Sequence, residues 1–497
     1  MAQEKSNQTL KLIIRILVGP VVFIIIRALP LAGLEPNAQT ALAVYGWIIG
    51  WWACTPVPWA VAGLLPLVLF PLFGAMNFRD TATLYGQRVF FFLMGCMLFG
   101  YAFQKHGLAK RTAINILCIK GMAKSGSRLI LMIIIISAIV SAIVDDAACV
   151  AIMIPIAMAL ARSCAESYTK ANNLPEGTKH PKFMVSAALA VLYGAFAGGM
   201  ATPAGVPFNP VSISNLETMT SYRVTFAQWT VTGLILMIIT IPVFFLVLRF
   251  LSTPEVKVIP DASAFFKQEK KELGPMSRGE KNVVAVLIIM IVLWLLPAIP
   301  AVASKLKWLD IWIVPAIGVI ILFLLPTSFK KAEMTLVPKD FGGGVNWNIL
   351  FLVCSGTATA AAIVNLGVAS WIGDSMANVV NIHILPWVGG FLTPVLAHLT
   401  SGTAMATMMT TIMFPISESL GYNTAILARI IPAVCLSTAL PWAGAAPAAA
   451  FSSGELTFKD MFKCGIVTTV ITSLVITVVC IIFIPLLGSV AFTQVVG

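Results

Sequence analysis

The sequence predicts an all-α protein that crosses a membrane many times. Its 497 residues are 59% hydrophobic and only 10% charged, whereas soluble domains carry about 25% charged residues. Mean hydropathy is +0.94, and apolar runs of about 20 residues, the length that spans a bilayer, recur along nearly the whole chain. These runs predict about ten to twelve spans, and no polar stretch between them is long enough to form a soluble domain.

A polar linker at 252–282 divides the predicted spans into an N-terminal half, 1–251, and a C-terminal half, 283–497. The apolar runs of the first half predict spans near 11–31, 39–54, 56–76, 88–104, 128–144, 148–164, 183–200 and 228–250. Those of the second half predict spans near 283–300, 308–326, 347–364, 386–414, 424–441 and 462–488. The linker is rich in lysine and arginine, which predicts that it is cytoplasmic.

The two halves contain matching segments, which indicates an internal repeat. VFFFLMGCMLFGYAFQKHGLAKRT (89–112) is similar to NILFLVCSGTATAAAIVNLGVASWI (348–372). The matched pairs are Gly107 with Gly367 and Pro155 with Pro415, each 260 residues apart. Chance similarity of Leu- and Ile-rich segments is the alternative. Transporters are commonly built from inverted repeats whose broken helices meet near the membrane midplane, so the broken segments of each half are candidate sites.

Two adjacent carboxylates, Asp145 and Asp146, lie in the middle of the apolar run 133–157. A carboxylate at the centre of a bilayer costs at least about 2.5 kcal/mol, so residues of this kind face a cavity, a partner or a translocated ion. The alternative is that the pair lies in a loop at the membrane surface, between two shorter spans. The first interpretation predicts a transport pathway.

Small and polar residues mark further candidate segments. In the first half the candidate segments are 141–149 and 198–210. In the second half they are 397–411 and 439–454. In broken helices, helix N-termini attract anions while unwound carbonyl groups bind cations. Hydroxyls and helix ends without arginine suit a carboxylate or sulfate that must be released again. The alternative for 400–411 is close helix packing through small residues.

Other classes of function find little support in the sequence. The net charge is +12, but no basic face or aromatic platform accompanies it, so nucleic acid is not an expected partner. The nine cysteines are scattered, without the spacing of a metal site or a disulfide framework. The chain has no HExxH or GxSxG motif, so we do not expect an enzyme.

The stretch WWACTPVPWAVAGLLPLVLFPLFGAMNF (51–78) resembles the opening signature of the divalent anion:sodium symporter family. VNWNILFLVCSG (345–356) and the VFFFLMG region resemble the segments that lead into the family's two re-entrant hairpins. The resemblance covers most of the chain in order. It implies two inverted repeats with about eleven spans, hairpins near 88–127 and 345–380, scaffold and transport domains, a homodimer and an elevator-type movement.

The resemblance also implies a substrate class and two binding tips. Family substrates include succinate, malate, fumarate, 2-oxoglutarate, citrate and tartrate, and in some members sulfate. A Ser-Asn-Thr tip in each repeat holds the substrate carboxylates and neighbouring sodium ions. Counting back from the matched prolines places the first tip on Asp145, Asp146 and Ala147, and the second on Met405, Ala406 and Thr407. Ser401-Gly402-Thr403 is more similar to the Ser-Asn-Thr motif and lies about one helical turn earlier. The register of the second tip, near 400–411, therefore stays open.

Departures from the family motifs predict altered ion coupling. The family's Thr/Ser-Pro-Pro-Asn turn is Val206-Pro207-Phe208-Asn209 in the first half, but Gly444-Ala445-Ala446-Pro447 in the second. Aspartate is a stronger sodium ligand than asparagine, or a protonatable group. Two adjacent carboxylates also repel a dianion unless a cation or proton neutralises them. We therefore expect a degraded second cation site and one altered cation- or proton-binding site, formed by Ser141, Asp145, Asp146 and Gly199.

These inferences predict a plasma-membrane secondary transporter of organic dianions: a C4-dicarboxylate, 2-oxoglutarate or a citrate-like anion. It would work as an exchanger or as a cation- or proton-coupled carrier, with Na+ or H+ as coupling ion and no other cofactor. The anion and membrane lipid are the expected partners. The predicted substrate contacts are Asp145, Asp146, Thr202, Asn209, Ser401, Gly402, Thr403 and Thr407. The alternative is a sodium/proton antiporter that uses the aspartate pair.

Overall fold

The protein is mostly helical, as the sequence predicts. The computed structural model describes residues 2–117, 125–175, 177–257, 270–299, 302, 305–306, 308–376, 381–436 and 439–494. Within these residues the strands are very short: β1 (Tyr222–Arg223), β2 (Pro326–Ser328), β3 (Glu333–Met334) and β4 (Thr493–Gln494). β1 pairs with β4 and β2 with β3, both antiparallel. The predicted all-α class is confirmed.

The helices of the N-terminal half begin with two long segments and continue with shorter ones. They are α1 (Ala2–Ala28), α2 (Pro36–Cys54), α3 (Trp59–Ala62), α4 (Leu65–Leu72), α5 (Phe78–Tyr85), α6 (Arg88–Lys105), α7 (Leu108–Leu117), α8 (Gly126–Ser141), α9 (Asp146–Ala171), α10 (Pro181–Gly199), α11 (Phe208–Met219) and α12 (Phe226–Leu251). Ser125 and Thr225 cap α8 and α12 by accepting a backbone hydrogen bond, the usual way in which the first turn of a helix is satisfied.

The helices of the C-terminal half repeat this order. They are α13 (Arg278–Leu295), α14 (Val314–Leu324), α15 (Pro338–Gly343), α16 (Trp347–Asn365), α17 (Val368–Met376), α18 (Leu385–Leu399), α19 (Gly402–Ser419), α20 (Thr424–Val434), α21 (Ala445–Phe451) and α22 (Phe458–Leu487), with 3-10 turns at Leu296–Ala298 and Gly488–Val490. In both halves a helical hairpin is followed by two consecutive helices, then by a helix with a short successor, and then by a long final helix. The hairpins are α6–α7 and α16–α17, and the consecutive helices are α8–α9 and α18–α19.

Eight helical segments in the described residues are long and apolar enough to cross a membrane. Five shorter apolar helices accompany them: Trp59–Leu72, Gly126–Ser141, Val314–Leu324, Leu385–Leu399 and Thr424–Val434. Backbone that ends inside a bilayer is tolerated where it is buried in protein or lines a cavity. The multi-pass class is therefore confirmed, and several predicted spans are broken helices rather than continuous ones.

The turns of the two hairpins lie at the glycines that the sequence matches. Gly107 joins α6 to α7 with φ +77°, and Gly367 joins α16 to α17 with φ +78°. Glycine adopts this left-handed conformation without the steric cost that a side chain would add. The distal residues of the predicted hairpins, 118–124 and 377–380, lie outside the described residues.

Several predicted boundaries differ from the structure, and three of these differences concern the helix breaks and the linker. The run 386–414, predicted as one span, ends as α18 at Leu399 and restarts as α19 at Gly402. The run 56–76 is divided between α3 and α4, and α13 begins at Arg278, inside the predicted linker. Hydropathy detects apolar length but does not detect a backbone break that protein buries. The central part of the linker, 258–269, lies outside the described residues, and its cytoplasmic position stays a prediction.

Close packing of α8 against α10 aligns the loops that follow these helices. A Cβ atom on Gly194 or Gly198 would overlap the carbonyl oxygen of Ile134 or Ala138, respectively. Only residues without side chains allow the two helix backbones to approach this closely. The chain breaks after α8 and after α10 therefore lie side by side, at residues 142–145 and 200–207.

Candidate functional site

The two adjacent loops of the first half are joined by hydrogen bonds. The Thr202 hydroxyl donates to the carbonyl oxygen of Ala142 at 2.7 Å, and the Asp146 backbone N–H donates to the carbonyl oxygen of Gly205 at 3.2 Å. Asp145 is the N-cap residue of α9, where its carboxylate accepts from the Ala147 N–H at 3.1 Å. The loops thus hold both aspartates at the start of one helix.

Behind the aspartates is a small polar centre with unsatisfied oxygen atoms. The Asn209 amide nitrogen donates to the carbonyl oxygens of Gly199 and Thr202, both at 2.8 Å. Its amide oxygen and the Ser141 hydroxyl are buried and have no hydrogen-bond partner in the described residues. A Cβ atom on Gly199 would lie 3.8 Å from the Ser141 hydroxyl, so these groups are neighbours. Clustered oxygen ligands of this type suit a hard cation.

The second half places a different set of residues at the corresponding break. Ser401 is the N-cap residue of α19, but its side chain makes no capping hydrogen bond. The Thr403 hydroxyl also makes no hydrogen bond among the described residues, although Ser401 and Thr403 are only 5% and 7% exposed. Two buried hydroxyls at a helix N-terminus are therefore available to a ligand.

A cavity of about 150 Å³ connects the two helix starts. Asp145 and Asp146 line it from the start of α9, and Ser401, Gly402 and Thr403 line it from the start of α19. Its remaining walls are mainly apolar, and the residues that contribute them include Trp59, Phe196, Phe208, Leu352 and Leu436. A concave, mostly apolar site with a few convergent polar groups is the usual form of a small-molecule site.

A second cavity, of about 540 Å³, adjoins the first and extends between the two hairpins. Asp145 and Asn346 line both cavities. Tyr101 and Gln104 of the first hairpin contribute to the second cavity, as does the backbone that precedes α16. Among the described lining residues of both cavities there is no lysine, arginine or histidine. The aspartate pair is therefore the charged feature of this site.

The structure brings together most, but not all, of the predicted site residues. Ser141, Gly199 and Asn209 form the polar centre behind the aspartates and do not line the 150 Å³ cavity. Thr202 supports the loop through its bond to Ala142. Thr407 is fully buried within α19, where its hydroxyl donates to the Thr403 carbonyl oxygen at 2.9 Å.

The N-cap positions indicate the register of the second tip. Asp145 and Ser401 are both N-cap residues that follow a break in a helix. Asp146 then corresponds to Gly402 and Ala147 to Thr403, which is the alternative that the sequence left open. Counting back from the matched prolines places the second tip at Met405 instead. The reason is that the segment from the N-cap residue to the proline is longer in α19 than in α9.

Sequence reasoning did not select Asn346 and Asn348, which line the cavity near the start of α16. The Asn346 side-chain oxygen accepts from the Ile349 N–H at 3.3 Å, and that of Asn348 accepts from the Ala60 N–H at 2.9 Å. Since the oxygens are used, the amide NH2 groups are left as donors. The signal that could have found them is their place in VNWNILF, two amides at the start of a membrane hairpin.

The first hairpin is held by ion pairs at both ends. Arg88 lies 3.0 Å from Glu217, Lys105 lies 2.6 Å from Asp340, and Arg111 lies 2.5 Å from Glu280. Among the described residues no ion pair involves the second hairpin, α16–α17. The hairpin that precedes the acidic tip is therefore the one that is electrostatically fixed to its surroundings.

Comparisons with known proteins agree with this architecture. The chain is 27% identical over 500 residues to the sodium-dependent dicarboxylate transporter SdcS of Staphylococcus aureus strain USA300, covering 97% of this chain and 93% of that protein. It is 25% identical over 505 residues to SdcS of Staphylococcus saprophyticus, covering 99% and 95%. A crystal structure of the YdaH transporter of Alcanivorax borkumensis is similar in fold, with TM-score 0.55 and 12% identity, over 92% of this chain and 100% of that one.

The family model described as the sodium:sulfate symporter transmembrane region matches residues 8–490, which is nearly the whole chain. This match confirms the resemblance inferred from 51–78. It also assigns the chain to a family of transporters, in agreement with the expectation that it is not an enzyme. The chain belongs to the sodium:sulfate symporter family, and it is a multi-pass membrane transporter.

Proposed function

We propose that the protein is a secondary active transporter of small dicarboxylates in the plasma membrane, coupled to Na+. The observation that carries this proposal is the cavity that joins the starts of α9 and α19, with carboxylates on one wall and unpartnered donors on the other. The two SdcS relatives are described as sodium-dependent dicarboxylate transporters, which supports both the solute and the ion.

In this proposal the acidic tip binds the coupling cation. Ser141, Asn209 and the aspartate pair supply oxygen atoms of which two, the Ser141 hydroxyl and the Asn209 amide oxygen, are buried without partners. A cation there offsets one of the two carboxylate charges, which would otherwise repel the solute. Proton binding by Asp146 is the variant of this mechanism in which H+ takes the place of Na+.

The neutral tip and the hairpin amides bind the solute. A carboxylate at the start of α19 would accept from Ser401, Thr403 and the exposed backbone N–H groups of the helix. Asn346 and Asn348 would bind a second carboxylate through their amide nitrogens. We further propose, from the family resemblance, that the chain forms a homodimer, and that a transport domain carrying both tips moves past a scaffold domain in an elevator cycle.

Counterflow in proteoliposomes tests this function. Vesicles loaded with unlabelled succinate are diluted into labelled succinate, in sodium chloride or in choline chloride. Sodium-dependent accumulation of label is the expected result. Equal accumulation in both salts would indicate proton coupling or obligatory exchange. No accumulation in either salt, with the protein folded by size-exclusion chromatography, would overturn the dicarboxylate assignment.

A sodium/proton antiporter is the second candidate, because two adjacent carboxylates at membrane depth are suited to exchanging Na+ for H+. A pH jump across the membrane, with sodium present and organic anion absent, separates the two. Sodium-driven proton release under these conditions would favour the antiporter. We expect none, because the donors at α19 and α16 have no role in such a cycle.

A further inference from the structure

The cavity between the two tips contains one group of acceptors and two groups of donors. The acceptors are Asp145 and Asp146. One donor group is the start of α19 with Ser401 and Thr403, and the other is the amide pair Asn346 and Asn348. A solute that fits this pattern carries two acceptor groups and one donor group.

Asp146 is an acceptor that forms no ion pair among the described residues. It is only 8% exposed and lines the cavity. The Asp145 carboxylate is used in capping α9, through the Ala147 N–H. A buried carboxylate without an ion-pair partner is strongly disfavoured unless a cation or a charged donor binds it.

The donor groups provide an independent indication of a ligand. Ser401 and Thr403 are more than nine-tenths buried and line the same cavity, and their hydroxyls make no hydrogen bond to any described residue. The Asn346 and Asn348 amide nitrogens are left as donors because the side-chain oxygens accept from Ile349 and Ala60. Each donor group can donate to a carboxylate, whereas the aspartate carboxylates can only accept.

Charge balance then selects among dicarboxylates. A plain dianion would bring two negative charges into a cavity of about 150 Å³ that already holds two carboxylates and no cationic side chain in its described lining. One Na+ bound at the acidic tip offsets one of the two carboxylate charges, so the aspartate pair keeps one net negative charge, which Asp146 presents to the cavity. An ammonium group on the solute offsets this remaining charge, and its N–H donors form charge-assisted hydrogen bonds with Asp146.

We propose that the preferred solute is an amino dicarboxylate of four or so carbons, with its ammonium group on Asp146 and its carboxylates on the two donor groups. This inference rests on the proposed function, because it assumes that a dicarboxylate occupies the cavity. It specifies the solute class more narrowly, since succinate and malate have no cationic group to place against Asp146.

Counterflow of L-aspartate and L-malate in the same proteoliposomes tests the inference. The two solutes share a four-carbon dicarboxylate skeleton and differ at one position, where aspartate has an ammonium group and malate a hydroxyl. With sodium present and equal concentrations, we expect the initial rate for aspartate to exceed that for malate by about tenfold or more. Asp146→Asn should bring this ratio to about one, since a neutral amide gives no charge-assisted bond.

A matched variant and the wild-type protein provide the controls. Glu166→Gln removes the same charge from the same helix, but Glu166 does not line this cavity, so its ratio should equal that of the wild type. The wild-type comparison needs no variant and therefore decides the matter even if Asp146→Asn fails to fold. Malate counterflow as fast as or faster than aspartate counterflow would overturn the inference and leave the proposed function standing. Counterflow of neither solute by folded protein would overturn both.

Discussion

The two tips occupy corresponding places in the chain but have opposite chemistry. At the first, Asp145 caps α9 and Asp146 begins it; at the second, Ser401 occupies the N-cap position of α19 without a capping hydrogen bond, and Gly402 begins the helix. The backbone breaks are similar, while the side chains change from two carboxylates to one hydroxyl and no side chain. We infer that the repeated frame sets where a ligand can bind, and that the side chains at each break favour a cation at the acidic tip and an anion at the neutral tip.

The tips also differ in the space around them. A Cβ atom on Gly402 would lie 2.6 Å from the Cys435 carbonyl oxygen and 3.3 Å from the Phe208 ring. The loop after α20 therefore occupies the volume that a side chain at the second tip would need. The first tip holds Asp146 at the corresponding position, so a carboxylate begins the helix at the first tip and a residue without a side chain begins it at the second.

Of the changes that test the difference between the tips, removal of the Asp146 charge should reduce transport most. Asp146→Asn makes the first tip neutral, and we expect uptake driven by an imposed sodium gradient to fall about 100-fold, because the coupling cation loses a charged ligand. Initial uptake rates of labelled solute in proteoliposomes measure this. Glu166→Gln, which removes a charge elsewhere on α9, should retain wild-type rates. Wild-type uptake by Asp146→Asn would mean that the acidic tip does not couple transport.

A side chain added at the second tip should have the next largest effect. Gly402→Ala places a Cβ atom against the Cys435 carbonyl oxygen, so the loop after α20 must shift and we expect uptake to fall about tenfold. Gly342→Ala is the control, because a Cβ there meets nothing within 4 Å. Equal uptake by the two variants would show that the second tip has room for a side chain.

The hairpin amides should affect solute affinity more than turnover. Asn348→Ala removes an amide donor from the cavity and the acceptor of the Ala60 N–H, so we expect the KM for the dicarboxylate to rise about fivefold. Asn381→Ala is a matched control, since Asn381 accepts from the His383 N–H but does not line the cavity. A loss of maximal rate with unchanged KM would contradict a role in binding the solute.

The smallest expected effect is a change in Tm on removing an ion pair of the first hairpin. Burial raises the pKa of Asp340, but the hydrogen bonds from Lys105 and from the Val337 N–H outweigh it and hold this pKa below its ordinary value. The pair then contributes stability above the ordinary aspartate pKa of about 3.9, and this contribution is lost as pH falls through the lowered pKa. Asp340→Asn should lower Tm at pH 7 by about 2 °C, and the difference from the wild type should shrink below pH 4 or so. A difference that does not change with pH would contradict this account.

The sequence predicts the long helices better than the breaks between helices. The spans predicted at 88–104 and 347–364 end within one residue of α6 and α16, because long apolar runs with glycine at the turn carry a strong signal. Hydropathy predicts a single span over 386–414, since Thr400 and Ser401 interrupt the apolar run only briefly, although composition marks 397–411 as a candidate broken segment.

The candidate site is harder to predict, because its residues come from distant parts of the chain. The intramembrane position identified Asp145 and Asp146, and the hydroxyls near Ser401 were found by composition. Asn346 and Asn348 were missed, because their role depends on Oδ1 atoms that already accept backbone hydrogen bonds. Tertiary contacts determine which donors of a polar side chain remain free, and a sequence pattern does not contain those contacts.

Sodium binding at the acidic tip is the central claim, and the Tm of the purified protein tests it most directly. The measurement compares sodium chloride with choline chloride at equal ionic strength, so that only specific binding raises Tm. We predict a saturable rise with sodium in the wild type and in Ser401→Ala, and none in Ser141→Ala or Asp146→Asn. A rise that survives in Ser141→Ala and Asp146→Asn but disappears in Ser401→Ala would place the cation at the neutral tip and contradict the account.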